Sequence, residues 1–350
     1  MAPATSAGTC TPSGTLPKSR AHRSYNAASI TVAPPTVDAE EPPVREAGNF
    51  EHHDHVIPRS DASPNYEGVE NLVIVCCHAI FHPDGSSPSL PLYSPYDERN
   101  WHLAPFQVSN PATGKPGEHE TFVAHVLAGI DIVKRPTSKN DTLVVISGGP
   151  TKKALTPLSE AQSYYNAALA HELALGNMGG GRTRELFTKG RILLEEHATD
   201  SFQNFVFSIL LFRRTTGVYP KHVRIITHAF KAKRFLHLHA PAIKWLPDRV
   251  QVQGIDPVMS KTDLEDTVRG EEMYGYKPWL KDPFGVGQEL GQKRKVRGWD
   301  GEVAAELTEG LEESVKRLLN DELLYDDVLP WTKSGLMVAN REGFTFTMRF

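Results

Sequence analysis

The stretch that decides the fold is Leu143–Gln162, LVVISGGPTKKALTPLSEAQ. Its apolar, β-branched start ends at Ser147-Gly148-Gly149, and about a dozen residues later Ser159-Glu160-Ala161 opens a segment of helical character. A buried strand, a glycine turn and a capped helix are typical of a βα unit in a parallel sheet. The pattern raises the question of what the gap between strand and helix holds.

The same alternation of strand and helix extends on both sides of this stretch. Short apolar runs predict strands at Leu72–Cys77, Thr142–Ser147, Arg191–Glu195, His222–Thr227 and Val250–Ile255. Amphipathic segments between them predict helices at Glu118–Lys134, Ser159–Leu175, Asp200–Thr216 and Phe230–Ala240. The sequence therefore predicts an α/β fold, a three-layer Rossmann-like domain with helices on both sides of a mostly parallel sheet.

Composition limits the class of protein. The 350 residues include 38 Lys and Arg against 42 Asp and Glu, a formal net charge of −4, and contain no long basic block. Nucleic acid is therefore not a favoured partner. The longest apolar run, Phe202–Phe212, is too short to cross a bilayer. Three cysteines, two of them adjacent, imply no disulfide framework and favour a reducing compartment.

Three segments fall outside the regular alternation. Residues 1–66 are polar and rich in proline, which predicts a disordered N-terminal tail; the run His52–His55 in it is interpreted as solvated. The α/β domain is predicted over 67–322, with a flexible insertion at 176–190 and a charged one at 256–299, followed by a C-terminal extension, 323–350. One helix, Gly301–Asn320, ends the domain, and a hairpin through Arg341–Gly343 is predicted beyond it. The predicted location is cytoplasmic, although the first 37 residues lack acids and partly resemble a mitochondrial transit segment.

Residues that follow parallel strands meet at one edge of the sheet, where ligands bind. Gly148 and Gly149 allow positive φ, and their N–H groups are candidates to face an anionic ligand together with Ser147. Ser159 is placed to cap the next helix, and Glu160 gains from the helix dipole. Each residue alone also fits a purely structural role.

The next two strand ends add carboxylates and cations. Glu195 ends the third strand, and Asp200, Ser201 and Asn204 open the helix after it, as site residues or as structural contacts. The fourth strand ends at Thr227 and His228, followed by Lys231 and Arg234 on one face of the next helix. Cations near a helix N-terminus are unfavourable, so they suggest an anionic partner, either a protein carboxylate such as Glu195 or a ligand.

The first strand ends Cys76-Cys77-His78, where nucleotide-binding folds often have glycines. Strand alternation points the two cysteines to opposite faces, so at least one packs in the core. His78 is the better candidate for hydrogen bonding or acid–base chemistry, although a Cys77–His78 thiol catalyst is an alternative. Glu160 and Glu195 could also form a glycosidase-type pair.

Taken together, these strand ends resemble the family called domain of unknown function 218 (DUF218), which includes SanA-like, YdcF-like and ElyC-like bacterial proteins, in a eukaryotic, fungal branch. Over Asn71 to Ile255 the matching residues are Ser147, Gly148, Gly149, Ser159, Glu160, Ala161, Glu195, Asn204, Thr227 and Arg234. The resemblance implies a Rossmann-like α/β/α domain without a settled reaction. Bacterial members are linked in general terms to envelope biogenesis, and many carry a membrane anchor. No anchor is expected in this chain, so that role is not carried over.

The departures from that pattern bear on chemistry. Lys231 stands where the family has a histidine, so an acid–base role of that position does not carry over. Asp200, Ser201 and Gln203 replace Asn, Thr and Glu but keep their capacity for hydrogen bonds. Cys76, Cys77 and His78 replace glycines that would touch a phosphate.

Two functional hypotheses follow. In the first, the sheet edge binds a small anionic ligand such as a nucleotide, S-adenosylmethionine or a phosphorylated metabolite, as in a hydrolase or transferase. The catalytic candidates are then Glu160, Glu195 and His78. In the second, the chain is a non-catalytic binding or regulatory module whose insertion at 256–299 contacts a protein partner through Tyr274, Tyr276 and Trp279.

Overall fold

A five-stranded parallel sheet forms the centre of the protein in this computed structural model. The structure describes residues 64–82, 93–134 and 141–332. The His52–His55 run, the Arg341–Gly343 hairpin and nearly all of the predicted tail lie outside these ranges. The sheet strands are β1 Asn71–Cys76, β4 Thr142–Ser147, β5 Ile192–Glu195, β6 His222–Thr227 and β7 Val250–Gly254, and a separate antiparallel pair consists of β2 Ile80–Phe81 and β3 Trp101–His102.

The five strands lie in the order β5-β4-β1-β6-β7. This is the order of the first five strands in doubly wound α/β proteins. Ile74 in the central strand β1 lies opposite Val145 of β4 and Ile225 of β6. Since β1 and β4 are covered on both faces, nearly all of their residues are buried, as continuous apolar runs predict.

Helices cover both faces of the sheet. Val73, Val75 and Cys77 of β1 and its end belong to the core shared with helices α1 His119–Lys134 and α2 Glu160–Ala174. Leu72, Ile74 and Cys76 face the core shared with α4 Ser201–Thr216 and the C-terminal helices. The predicted three-layer arrangement, and the opposite orientation of the two cysteines, are therefore confirmed.

The segment after β6 is helical but irregular. A 3₁₀ turn, Ala229–Lys231, leads into α5 Ala232–Arg234, a π-helical turn Phe235–His239 and α6 Ala240–Ala242. Pro241 follows the π turn. Proline has no N–H and its ring crowds the carbonyl four residues earlier, so a wider turn before it relieves that contact.

The insertion at 256–299 contains three helices rather than an irregular loop. These are α7 Lys261–Gly270, α8 Lys277–Lys281 and α9 Gln288–Val296, with a π-helical turn Glu271–Tyr276 between the first two. Trp279 is only 2% exposed and stacks on Phe202 of α4. The prediction of an exposed Trp279 is therefore wrong, because this ring fixes the insertion to the core.

Two further segments differ from the prediction. The insertion at 176–190 contains helix α3 Gly181–Thr188. The predicted single helix Gly301–Asn320 is two helices, α10 Glu302–Thr308 and α11 Glu313–Leu319. The break falls at Gly310, whose φ of 72° lies in the left-handed region. Within the described ranges, none of the helices combines the length and apolar character of a membrane span.

Candidate functional site

The site lies where the order of strands changes direction. After β1 the chain continues to β4 on one side, whereas β6 is followed by β7 on the other, so a crevice opens between the ends of β1 and β6. His78 follows β1 and Thr227 ends β6, and the His78 Nε2 and Thr227 Oγ1 atoms are 3.1 Å apart. Lys231 Nζ lies 3.2 Å from the other ring nitrogen, His78 Nδ1.

His78 is held in place through its main chain as well. Its N–H donates to the Tyr164 hydroxyl of α2 at 3.1 Å. Its carbonyl accepts a hydrogen bond from Gln107 Nε2, also at 3.1 Å. Burial and the positive charge of Lys231 hold the pKa of His78 well below its usual value. The ring is therefore neutral, and with Lys231 donating to Nδ1 its proton is on Nε2.

Within the described part of the chain, Lys231 has no carboxylate in direct contact, although the charges of Glu271 and Glu118 act on it. Among the described residues, no carboxylate oxygen lies within 4.0 Å of its ammonium group. Burial, and then the neighbouring Arg234, lower the pKa of Lys231 to about 8. A half-buried cation in contact with a neutral imidazole favours an anionic ligand that would complete its charge pairing.

Three further polar side chains surround this pair on the α1 side. His228 is 1% exposed, and neither of its ring nitrogens has a hydrogen-bond partner in the structure. Its Nε2 lies 3.7 Å from Glu118 Oε2. His125 donates from Nε2 to the Ile255 carbonyl at 2.8 Å, which leaves its Nδ1 without a partner. Burial lowers the pKa of His125 to about 4 and that of His228 well below its usual value.

Glu160 closes the other side of the crevice at the start of α2. It is 8% exposed, and its Oε1 accepts a 2.5 Å hydrogen bond from the Thr151 hydroxyl. Burial raises the pKa of Glu160 to about 7 despite the positive charges of Arg297, Lys152 and Lys231. We call this set of side chains the switch-point site: His78, Glu118, His125, Glu160, Thr227, His228 and Lys231.

The glycine turn does not offer N–H groups to a ligand. Gly148 N–H donates to the Glu195 carbonyl at 2.9 Å, and Gly149 N–H donates to the Ala198 carbonyl at 2.6 Å. Neither glycine has positive φ. Both are required by close packing, since a Cβ on Gly148 would lie 2.8 Å from the Cβ atoms of Cys77 and Glu160. The predicted role of these amides is therefore wrong, because the backbone already uses them.

Ser159 and Ser147 have structural partners. Ser159 caps α2, as predicted: its Oγ accepts from Gln162 N at 2.9 Å and donates to Glu196 Oε1 at 2.6 Å. Ser147 is fully buried and donates to Glu195 Oε2 at 2.5 Å. Both hydroxyls are thus engaged within the protein.

Glu195 stabilises the loop after β5. Its Oε1 accepts the N–H groups of His197 and Ala198 at 2.7 and 3.0 Å, and Oε2 accepts from Ser147. Burial raises its pKa to about 7, against the effect of these donors. Since both oxygens are occupied, this geometry argues against Glu195 as a catalytic carboxylate and against the glycosidase-type pair with Glu160.

The start of α4 is also fixed by internal contacts. Asp200 is the N-cap: its Oδ1 accepts from Gln203 N at 2.9 Å, and its Oδ2 pairs with Arg294 Nε of the insertion at 2.6 Å. Ser201 Oγ lies 2.8 Å from His239 Nε2. The structure therefore gives Asp200 and Ser201 structural partners.

Asn204 and the two cysteines lie below the crevice. Asn204 is 6% exposed, and its side chain is close enough to the Cys76 thiol to oppose the rise of the thiol pKa. Burial raises the pKa of Cys76 to about 12 and that of Cys77 well above its usual value. A buried thiol that stays protonated is not a nucleophile, so the geometry disfavours the Cys77–His78 catalyst.

Arg234 pairs with a carboxylate other than the predicted one. Arg234 Nε lies 3.2 Å from Glu271 Oε1, and its NH1 group donates to the Gly275 carbonyl at 3.4 Å. Glu271 belongs to the insertion, not to the sheet, so the suggestion of Glu195 is wrong. The ion pair fixes the insertion over the β6 side of the site.

Sequence reasoning missed Glu118, His125, Thr151 and Glu271. A signal existed for two of them: His125 lies three residues after the core residue Phe122 on the predicted inner face of α1, and Glu118 directly precedes that helix. Nothing local marks Thr151 or Glu271, because both reach the site through contacts between distant segments.

Replacing Glu160 by glutamine should change stability in a pH-dependent way. The pKa of Glu160 in the folded protein is about 7, above the ordinary carboxyl value of about 4.5. Between these two pH values the Glu160 carboxyl ionises readily only in the unfolded chain. The wild type therefore loses stability as the pH rises from about 4.5 to 7. A glutamine amide stays neutral throughout this range. We therefore expect Glu160→Gln to gain about 2 kcal/mol relative to the wild type between pH 5 and pH 8.

Urea unfolding at both pH values measures this difference. Glu120→Gln, a change of an exposed acid in the first turn of α1, is the control, and its effect relative to the wild type should hardly vary with pH. An equal pH dependence of the two variants would contradict the desolvated environment of Glu160.

One comparison identifies a relative. The chain is 30% identical over 263 residues, 65% of this chain and 82% of the other, to "Uncharacterized protein YOR238W" of Saccharomyces cerevisiae, a name that assigns no activity. No family model matches the chain, and no solved structure matches it. The identity and coverage show that the chain belongs to the same protein family as this yeast protein.

Proposed function

We propose that the protein binds a small anionic ligand at the switch-point site, of the nucleotide, S-adenosylmethionine or phosphorylated-metabolite class. The observation that carries this proposal is the ammonium group of Lys231, which is half-buried at the switch point without a carboxylate within 4.0 Å among the described residues. Arg234 adds positive charge near Lys231, against the charges of Glu271 and Glu118, and Arg297 and Lys152 add positive charge near Glu160. Such a field attracts anions, and the point of strand reversal is where doubly wound proteins bind ligands.

The polar groups around Lys231 suit recognition of a ligand with hydrogen-bonding atoms. Both ring nitrogens of His228 and one ring nitrogen of His125 are buried and have no hydrogen-bond partner in the structure. Buried polar atoms are normally satisfied, by protein, by water or by a ligand. A ligand or its bound water that reached these nitrogens would remove the cost of leaving them unpaired.

A catalytic role of the site would rest on Glu160. Its pKa of about 7 keeps an appreciable fraction of both protonation states near neutral pH, which is the property of a general acid or base. The expected resemblance of the strand ends to the DUF218 pattern would place a ligand at the same edge of the sheet, although no family model matches the chain. A hydrolase or a transferase is the class of enzyme consistent with this arrangement.

Access to the site involves the insertion. Two cavities in the described part of the chain lie beside Trp299 and beside Trp279, where the insertion packs on the domain. We infer that a ligand enters when the segment around Glu271, which is held by Arg234, moves aside.

A thermal-shift experiment tests the proposal. The full chain is heated with adenosine monophosphate, S-adenosylmethionine or inorganic phosphate, and a ligand at about 100 times its Kd should raise Tm by about 5 °C. Lys231→Met should lose this shift. Lys233→Met, a change of an exposed lysine two residues along, should keep it. Equal shifts for the two variants, or no shift with any anion, would contradict the proposal.

The insertion supports a second candidate function, binding of a protein partner. No residue of α7 is buried, and Leu264 and Val268, four residues apart on one face, are 38% and 46% exposed. Tyr274 is 71% exposed, unlike Trp279. Tyr274→Ser would then abolish co-purification of a partner that the Lys231→Met variant retains, while loss in neither variant would count against this function.

A further inference from the structure

Lys231 differs from other lysines of the described chain in what its amine contacts. Lys189, Lys221 and Lys293 each lie within 2.8 Å of a glutamate oxygen. Lys153 donates to the Gly298 carbonyl. The amine of Lys231 instead contacts an unprotonated ring nitrogen of His78, at 3.2 Å. Carboxylates stabilise the ammonium form of an amine, whereas a neutral imidazole does so much less.

On balance the surroundings also oppose the positive charge on Lys231, because burial and Arg234 outweigh the opposite effect of Glu271 and Glu118. Arg234 lies one helical turn further on, and its own charge is paired with Glu271. Glu118 is already engaged by Lys115 at 3.5 Å and faces His228. The lowered pKa of Lys231 agrees with this geometry. A desolvated lysine beside a second cation is the arrangement that makes an amine nucleophilic near neutral pH.

The position of the amine is fixed by several contacts. Lys231 ends the Ala229–Lys231 turn, and the Ala229 N–H donates to Asp256 Oδ1 at 2.7 Å. Thr227 orients the His78 ring through Nε2, so that Nδ1 accepts an N–H from Lys231. In the neutral amine, this hydrogen bond leaves the nitrogen lone pair free to attack a bound electrophile.

We propose that Lys231 forms an imine with an aldehyde or ketone whose anionic group is bound at the switch-point site, an inference that rests on the proposed function. In this arrangement Lys231 attracts the anion in its ammonium form and reacts in its neutral form. Lys152 and Arg297, whose charges act on Glu160, hold the anionic group while the carbonyl carbon meets Lys231 Nζ. This assigns the ligand to the class of phosphorylated or carboxylated carbonyl compounds.

The step is balanced without an oxidant or reductant. The Nζ lone pair forms the C–N bond, and the π electrons of the carbonyl move to its oxygen, which takes a proton from Glu160. The nitrogen then loses a proton to the Glu160 carboxylate, which returns it to the hydroxyl group as that group leaves as water. A further proton passes from the nitrogen back to Glu160. An amine and a carbonyl compound thus give a neutral imine and water, and Glu160 ends in its initial state.

Glu160 is suited to this proton transfer. Its Oε1 accepts the Thr151 hydroxyl, so the carboxyl proton resides on Oε2. Its pKa of about 7 allows these transfers at neutral pH, and Lys231 lies near enough for its charge to lower that pKa. Imine formation requires proton transfers both in the addition of the amine to the carbonyl and in the loss of water. A carboxyl group that can donate and then accept a proton can serve both steps.

Reductive trapping tests the proposal. The full chain is incubated at pH 7 with pyridoxal 5′-phosphate and cyanoborohydride, and the labelled lysine is located by mass spectrometry of peptides. We expect Lys231 to be labelled at least about ten-fold faster than the exposed Lys233, because a larger fraction of its amine is neutral. Pyridoxal, which lacks the phosphate, should label Lys231 more slowly.

Matched variants separate imine formation from anion binding. Lys231→Arg keeps the charge and should abolish the adduct, whereas Lys233→Arg should leave it unchanged. Labelling spread over exposed lysines, or unaltered in Lys231→Arg, overturns the imine. If phosphate still raises Tm in that case, anion binding stands and only the imine fails. If neither labelling nor a Tm shift occurs, both proposals fail.

Discussion

Replacing Arg294 by methionine should lower the free energy of unfolding by about 4 kcal/mol. Arg294 is 6% exposed, and its Nε donates to Asp200 Oδ2 at 2.6 Å, while NH2 donates to the Phe284 carbonyl at 2.7 Å. Methionine fills much of the same volume but leaves the largely buried Asp200 carboxylate without its cation. Breaking a buried ion pair from one side typically costs about 3–5 kcal/mol. Urea unfolding measures the change.

Lys293→Met is the matched control for this experiment. Lys293 is the preceding residue of α9 and makes a solvent-exposed pair with Glu289, four residues earlier. Such pairs contribute about 0.3–0.5 kcal/mol. Adding Asp200→Asn to Arg294→Met should restore part of the lost stability, because the unpaired charge is then removed. Similar losses in the two single variants would show that the ion pair does not fasten the insertion to α4.

Replacing Gly254 by alanine should lower the free energy of unfolding by about 3 kcal/mol and, under the proposed function, weaken anion binding. A Cβ on Gly254 would lie 2.3 Å from Ala229 Cα and 2.4 Å from Ala229 Cβ. These atoms belong to the turn that carries Lys231, and Asp256 holds that turn in place. The added methyl group therefore displaces backbone, at the upper end of the usual cost of overpacking. We expect Lys231 to move away from His78 as a result.

Gly270→Ala is the control, because an added Cβ there meets nothing within 4 Å and the backbone is helical. In a helix, alanine is favoured over glycine by up to about 1 kcal/mol, so this variant should be slightly more stable than the wild type. Chemical unfolding and the thermal shift with phosphate report the two effects separately. A Gly254→Ala protein with unchanged stability and an unchanged shift would contradict the close approach of β7 to the turn.

Local pattern was enough to predict the sheet. Strands β4 and β6 have the predicted bounds, Thr142–Ser147 and His222–Thr227. Each is a run rich in β-branched residues, and turn-forming residues beside the run mark where the strand pattern stops. The cap Ser159 was predictable for the same reason, since an N-cap depends on contacts within a few residues. Both ends of β1, the start of β5 and the end of β7 differ from the predicted bounds by one residue.

The site was predictable in its location but not in the roles of its residues. His78, Thr227 and Lys231 do meet, as expected for strand ends at one edge of a parallel sheet. The same reasoning predicted that Glu195 and Asp200 would lie beside them. The carboxylates of both residues instead accept hydrogen bonds from other groups of the protein. Whether a carboxylate faces a ligand or a backbone N–H depends on its rotamer and on its neighbours, which spacing does not encode.

Hydrophobic periodicity and local capping thus determined the strands, the main helices and the edge of the sheet where polar residues meet, because each of these depends on neighbours along the chain. Tertiary contacts alone decided that Arg234 pairs with Glu271, that Gly148 and Gly254 serve close packing, and that Lys231 has no carboxylate beside it within the described part of the chain. These features join segments dozens of residues apart. The charges and the free space around each of these residues depend on how the insertion folds against the sheet.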